Sequence, residues 1–178
     1  MDKFIIHTLL LIFSLFVITD LHADTTDNAF RCSASKPTSE QNINVNILDC
    51  SYLHQFTLET FNHSLFIYPI ANIGQIITDD DRGNFLGGGL GFGYYFTDHI
   101  NFFVEGGTQW HDDYQFGEKG VAYKDYGGPW QFFGKIGSSY QISSKWQFGY
   151  AYVHMSNGNR YSVNPSFNGH SLFASYQF

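Results

Sequence analysis

Apolar and polar residues alternate along most of this chain with a period of two. From Trp146 the even positions read Trp146, Phe148, Tyr150, Tyr152, His154 and Ser156, while the odd ones read Gln147, Gly149, Ala151, Val153 and Met155. The last residues alternate in the same way: Asn168, His170, Leu172, Ala174, Tyr176 and Phe178 fall on one side, and Gly169, Ser171, Phe173, Ser175 and Gln177 on the other. A period of two is the signature of a strand with two different faces. Further strands are expected over about 51–60, 64–77, 83–96, 100–111 and 129–142. With 146–157 and the last strand that makes seven, and an eighth is needed between 30 and 48, because single-chain bacterial barrels have even strand counts. Within that window 42–48 alternates, but no clear turn separates it from the next strand.

The two faces differ in a way that excludes an ordinary soluble sheet. In 146–157 the aromatic side is expected to meet lipid and the small side to fill the interior. Composition agrees: 19% of residues are aromatic, 14% are charged and 18 are glycine. Beyond the N-terminus no apolar run is long enough to cross a bilayer as a helix. A closed barrel is the remaining way to satisfy every backbone group in hydrocarbon, so the fold class expected is all-β, an eight-stranded antiparallel transmembrane β-barrel. The turns at 61–63, 97–99 and 143–145 are short, whereas 78–82, 112–128 and 158–167 are longer or more polar. Short turns face the periplasm and long loops the exterior, which puts the His154–Ser156 end of its strand at the outer surface.

The N-terminus sets the compartment. Lys3, the apolar stretch through Ile18 and the Leu21-His22-Ala23 ending read as a signal peptide over 1–23, leaving 24–178 as the barrel, with a poorly defined segment 24–48 holding the first strand. Export through an oxidising compartment makes a Cys32–Cys50 disulfide plausible, the alternative being two free thiols. The net charge of −7 argues against nucleic acid as a partner.

His154 and Ser156, two apart on a strand, share one face, and a base beside a hydroxyl is the minimum equipment for acyl transfer. Near a membrane rim the same pair has an ordinary use, reaching headgroups and water. Other signals have ordinary readings too. Gly87 to Gly93 mimics a phosphate loop but lies inside a strand, where glycines allow tight packing of the wall. Asp79-Asp80-Asp81 reads as a solvated loop tip rather than a cation site, and no metal or cofactor is called for.

The segment His154-Met155-Ser156-Asn157-Gly158, followed by Asn164-Pro165 and a last strand ending in an aromatic, resembles the PagL-type lipid A 3-O-deacylase family of outer-membrane proteins. Phe102-Phe103-Val104-Glu105-Gly106-Gly107 is similar to the family's F-x-E-x-G strand, and the likeness extends from about Gly83 to Phe178. The resemblance implies an outer-membrane serine esterase that removes a 3-O acyl chain from lipid A of lipopolysaccharide, with Ser156 as nucleophile, His154 as base and no cofactor. It also implies an oxyanion site from the Asn157 side chain and the following backbone N–H groups, Gly158 among them. A terminal aromatic resembles the signal read by the barrel-assembly machinery, the partner implied for export. One departure stands out: Asn168 occupies the position of the family's triad glutamate. Parity puts Asn168 on the outward side beside His154, where its carbonyl is able to orient the imidazole but not to offset its charge. Glu105, Asp112, Asp113, Glu118 and Asp125 are the acids available as substitutes. A catalytically silent barrel of the same family and a lipid A acyltransferase are the competing expectations.

Overall fold

The computed structural model describes residues 23–60 and 63–178. The expected signal peptide lies outside the described residues except for Ala23, with which the first strand begins. Ten strands follow in chain order: β1 (Ala23–Pro37), β2 (Asn46–Thr60), β3 (His63–Ile77), β4 (Arg82–Tyr95), β5 (Ile100–His111), β6 (Gln115–Glu118), β7 (Ala122–Asp125), β8 (Trp130–Gln141), β9 (Trp146–Ser156) and β10 (Phe167–Gln177). Eight of them close a barrel in the order β1-β10-β9-β8-β5-β4-β3-β2, and every pairing in it is antiparallel. The expected fold class is therefore the observed one.

The strand expected between 30 and 48 needs correction. It is β1, ending at Pro37, while 46–48 already belong to β2, which starts earlier than expected. The reason is physical. The inward side of β1 carries Arg31, Ser33 and Ser35, all buried, against the small or polar outward residues Cys32, Ala34 and Lys36. Neither face is strongly apolar, so period two leaves little trace in hydropathy. The connection 112–129 also departs from a plain loop. It holds the β6–β7 hairpin, whose Phe116 is wholly buried in the outer end of the barrel.

The wall follows the alternation. Phe102, Val104, Leu90, Ile136, Phe148 and Leu172 all project outward and are exposed, which fits a lipid-facing surface. Trp110 and Trp130 pair directly near the long-loop end, and Trp146, Tyr176 and Phe178 gather at the other, as interfacial girdles do.

The lumen is filled. One hydrophobic cluster around Phe66, Phe103 and Phe173 occupies the short-turn half, and another around Phe85, Met155 and Phe167 the long-loop half. Between them lie two buried ion pairs, Arg31–Glu105 and Lys135–Asp49. Tyr68 donates its hydroxyl to Glu105 at 2.7 Å, and the Arg31 guanidinium lies 4.8 Å and 4.7 Å from the Phe103 and Phe173 rings. Glu105 is thus an interior partner, as a mid-strand acid should be. The β4 glycines pack as expected: a Cβ at Gly91 would stand 2.2 Å from the Tyr68 ring, and one at Gly93 would stand 2.1 Å from Phe66.

Cys32 and Cys50 are direct partners across β1 and β2 and form a disulfide on the outward face.

Candidate active site

The β9–β10 hairpin carries the candidate groups His154, Ser156 and Asn168. Its register sets Asn168 directly opposite His154, and β8 contributes Phe132 opposite Ser156. All three polar side chains follow the even, outward parity, so the strand pleat alone brings them to one surface.

Ser156 Oγ lies 3.2 Å from His154 Nε2, and His154 Nδ1 lies 2.8 Å from Asn168 Oδ1. Asn168 Nδ2 donates to Ser166 Oγ at 3.3 Å, which turns the amide so that its oxygen faces the imidazole. With that oxygen as acceptor, the network assigns the His154 proton to Nδ1 and leaves the Nε2 lone pair toward the serine hydroxyl. The result is a continuous hydroxyl–imidazole–carbonyl chain. It lies on the outer wall at the long-loop end, with His154 exposed and Ser156 half-buried.

Thr38, the residue after β1, supports this site from the far side of β10. The Thr38 backbone N–H donates to the Asn168 carbonyl oxygen at 2.8 Å and its hydroxyl donates to the same oxygen at 3.2 Å. That pins the backbone from which the Asn168 side chain projects.

Asn157 is placed differently from the expectation. Its side chain points inward and is fully buried. Its amide donates to the carbonyl oxygens of Tyr126 at 2.9 Å and Val163 at 2.6 Å, and its backbone N–H donates to Asn164 Oδ1 at 3.0 Å. An oxyanion role for its side chain is therefore corrected: both amide hydrogens are spent inside, on the opposite side of the strand from Ser156. Asn157 instead fastens the β7–β8 and β9–β10 connections to the end of the reactive strand. Gln131 completes the clamp from below by donating to the Tyr126 and Gly128 carbonyls at 3.0 and 2.7 Å.

Gly158 and Asn159 both have positive φ, at 62° and 63°, and Arg160 N–H closes the turn onto the Asn157 carbonyl at 3.1 Å. Two consecutive left-handed residues reverse the chain directly after Ser156, a turn that glycine enters without strain. Among the described residues the Gly158 N–H has no hydrogen-bond partner, so it stays available as a donor next to the hydroxyl.

None of the alternative acids reaches His154. Glu105 is inside with Arg31. Asp112 accepts from the Asn84 side chain at 2.7 Å and backbone N–H at 2.6 Å, and these bonds hold its carboxyl below the usual range. Asp113 accepts from Gln115 N–H, and Asp125 from Gln115 Nε2 and Gly127 N–H. Glu118 lies in the β6–β7 hairpin, away from the β9–β10 seam. In the acidic loop, Asp79 accepts from Asn44 and Asp81 from Gly117 N–H. These bonds tie the outer loops together. His170 shares the outward face with Asn168 but is bonded through Nδ1 to the Tyr150 hydroxyl at 2.5 Å, not to the serine chain.

Residues 102–177 match the family described as lipid A 3-O-deacylase (PagL), a stretch running from β5 to the last strand and including every member of the hydroxyl–imidazole–carbonyl chain. The resemblance read from the His154 motif and its strand is borne out over that stretch. The solved structure of the outer membrane enzyme PagL superposes with a TM-score of 0.63 at 18% identity, covering 83% of this chain and 97% of that one. A de novo designed transmembrane β-barrel aligns at 0.51 with 14% identity, over 85% and 95% of the two chains. The Yersinia pestis outer membrane protein Ail, in a phospholipid bilayer nanodisc, also aligns at 0.51, with 9% identity over 86% and 100%. At such identities these likenesses establish the fold, an outer-membrane-type barrel. No curated protein sequence matches the chain. The family match covers 102–177, a little under half of the chain, and the fold is that of outer-membrane barrels.

Proposed function

We propose that this protein is an outer-membrane serine esterase that removes an ester-linked acyl chain, the 3-O chain, from lipid A. The observation that carries the reading is the unbroken Ser156–His154–Asn168 chain, at 3.2 and 2.8 Å, on the lipid-facing wall. A group on that wall meets its substrate in the plane of the leaflet, so a membrane ester is the substrate class that fits. Long loops at the same end and the expected export signal support an outer-leaflet position for the site, where lipid A resides.

In the reaction, His154 Nε2 takes the Ser156 hydroxyl proton as Oγ attacks the ester carbonyl carbon. The Gly158 N–H, next along the turn, is the free backbone donor proposed to take the charge that develops on the carbonyl oxygen; such a donor stabilises the tetrahedral intermediate more than the ground state. Collapse breaks the bond to the sugar oxygen, which leaves with the proton from His154. Water then attacks the acyl-serine, giving its proton to His154 and releasing a fatty acid while Ser156 recovers its hydrogen. Asn168 orients the imidazole throughout. Because it is neutral, it supports the imidazolium less than a carboxylate would.

An acyltransferase that houses its chain in the lumen is disfavoured by the two ion pairs and two aromatic clusters that fill this one. The deciding experiment is expression in a Gram-negative host of defined lipid A, followed by mass spectrometry. Loss of one hydroxyacyl chain that depends on Ser156 supports the esterase. An unchanged lipid A with an assembled barrel favours a silent barrel, and a gained chain favours the transferase.

A further inference from the structure

The outward wall around the reactive hairpin is almost free of charge. Across the described outward positions of β8, β9, β10 and β1, Lys36 is the one residue with a formal charge. A cation on a lipid-facing strand is costly at the bilayer midplane and nearly free at the rim, and Lys36 stands one residue from the outer end of β1. Among the described residues it has no hydrogen-bond or ion-pair partner. Its direct partner on β10 is His170, which in turn faces Tyr152 on β9.

His170 is held by contacts outside the serine chain. Its Nδ1 meets the Tyr150 hydroxyl at 2.5 Å, and the Tyr150 and Tyr152 rings lie 5.8 and 6.4 Å away. When the hydroxyl donates to Nδ1, the ring proton sits on Nε2 and becomes a free donor on the open surface. An ammonium and an imidazole N–H side by side, beyond two aromatic rings, form a donor pair for an anion. The lysine stem and the rings also cover apolar chain beneath it.

The location matches a headgroup attached to the cleaved ester. Lys36 lies two strands across from Ser156 and four register steps along, roughly 10 and 13 Å at ordinary strand spacings, and its side chain is long enough to turn back toward the rim. The two components combine to about 16 Å between the backbones, which the extended lysine side chain shortens to about 10 Å, the scale of two sugar units, so an anion and an ester on one glycolipid headgroup can occupy both places together.

We propose that Lys36 and His170 form an anion subsite on the outer wall that takes a phosphate borne by the sugar of the glycolipid substrate, and so selects phosphorylated over unphosphorylated lipid A. This rests on the esterase reading for its substrate, and its chemistry is that of any phosphate monoester. A charged hydrogen bond lost from such a contact is expected to raise KM by about tenfold.

The test uses the full protein in mixed micelles with lipid A carrying its phosphates or stripped of them. Lys36→Gln and His170→Phe should each raise KM about tenfold on phosphorylated lipid A with kcat little changed, leave the stripped substrate unaffected, and be rescued in the first case by Lys36→Arg. Equal losses on both substrates, or none on either, would overturn the subsite. If the wild type cleaves neither substrate, the esterase reading fails. The subsite is then decided by co-sedimentation of the Ser156→Ala protein with phosphatidylcholine vesicles carrying either lipid A. A preference for the phosphorylated form that Lys36→Gln abolishes sustains it, and equal binding refutes it. Competition by millimolar inorganic phosphate would show a site for the free ion and overturn the lipid assignment.

Discussion

Replacing Asn168 by aspartate changes the charge of the acceptor facing His154 and little of its shape. The bond in question, His154 Nδ1 to Asn168 Oδ1, spans 2.8 Å. As a neutral hydrogen bond it contributes about 0.5–1.5 kcal/mol, and as a charged one about 1.5–3 kcal/mol. The added 1–1.5 kcal/mol or so acts on the imidazolium of the transition state, which corresponds to roughly a tenfold gain in kcat. A unit charge about 4 Å from the ring centre would contribute about 4 kcal/mol at an effective dielectric of 20, but a surface site loses much of that to solvent. The expected gain for Asn168→Asp is therefore about 10- to 100-fold. It stays below the roughly 10⁴-fold loss seen when a protease triad acid becomes an amide, because much of that loss is a tautomer error. Here the Ser166 hydroxyl already turns the Asn168 oxygen toward the ring. The assay is fatty-acid release from lipid A in mixed micelles, with heat-modifiable gel mobility as the check on folding. A folded Asn168→Asp barrel that is no faster than the wild type, with unchanged KM, would refute the role given to Asn168.

Other outcomes follow from the interior and the loops. Asn157→Ala removes two buried amide bonds, to Tyr126 and Val163, and should cost about 1–3 kcal/mol of stability, read as a lower melting temperature, while cutting kcat more than it raises KM. Glu105→Leu strands the buried Arg31 charge and should cost about 3–5 kcal/mol, whereas Arg31→Met combined with Glu105→Leu should recover most of it in a urea titration. Reducing Cys32–Cys50 opens a loop of 18 residues, for which the chain-entropy relation gives about 3 kcal/mol, measurable as thermal unfolding with and without dithiothreitol. Asp112, whose carboxyl is depressed by its bonds to Asn84, contributes anchoring above the ordinary carboxylate range. That anchoring is lost as pH falls through its folded value. Exchange of the Asn84 amide hydrogen should accelerate there in the wild type but show no such step in Asp112→Asn.

The reactive hairpin was readable because its two faces differ so sharply. Trp146 to Ser156 sets aromatics against small residues, so parity alone sent His154 and Ser156 outward and paired them with Asn168. β1 was less readable because a membrane barrel need not put apolar residues inside: Arg31, Ser33 and Ser35 face a charged lumen, where Arg31 meets Glu105 on β5 and Ser33 donates to Asp49 on β2, partners that hydropathy does not reveal. Asn157 is a different case. Its odd position already directed it inward by the same rule, and the family likeness drew it toward the oxyanion role that the geometry withholds. The carbonyls it grips, Tyr126 and Val163, carry no residue-type signal at all, since any residue supplies one. The β6–β7 hairpin is too short for alternation to stand out among the polar residues around it.

On the proposed esterase reading, a barrel filled by its own side chains, with its serine on the outer wall, works in two dimensions. Concentration, for such a catalyst, is the mole fraction of substrate in one leaflet, and diluting that leaflet with inert lipid slows it as surely as diluting a solution slows a soluble enzyme. The Arg31–Glu105 and Lys135–Asp49 pairs occupy the middle of the lumen. On that esterase reading, the released fatty acid and the trimmed glycolipid would both remain in the sheet they came from, so each turnover would alter the membrane around the protein and its own supply of substrate.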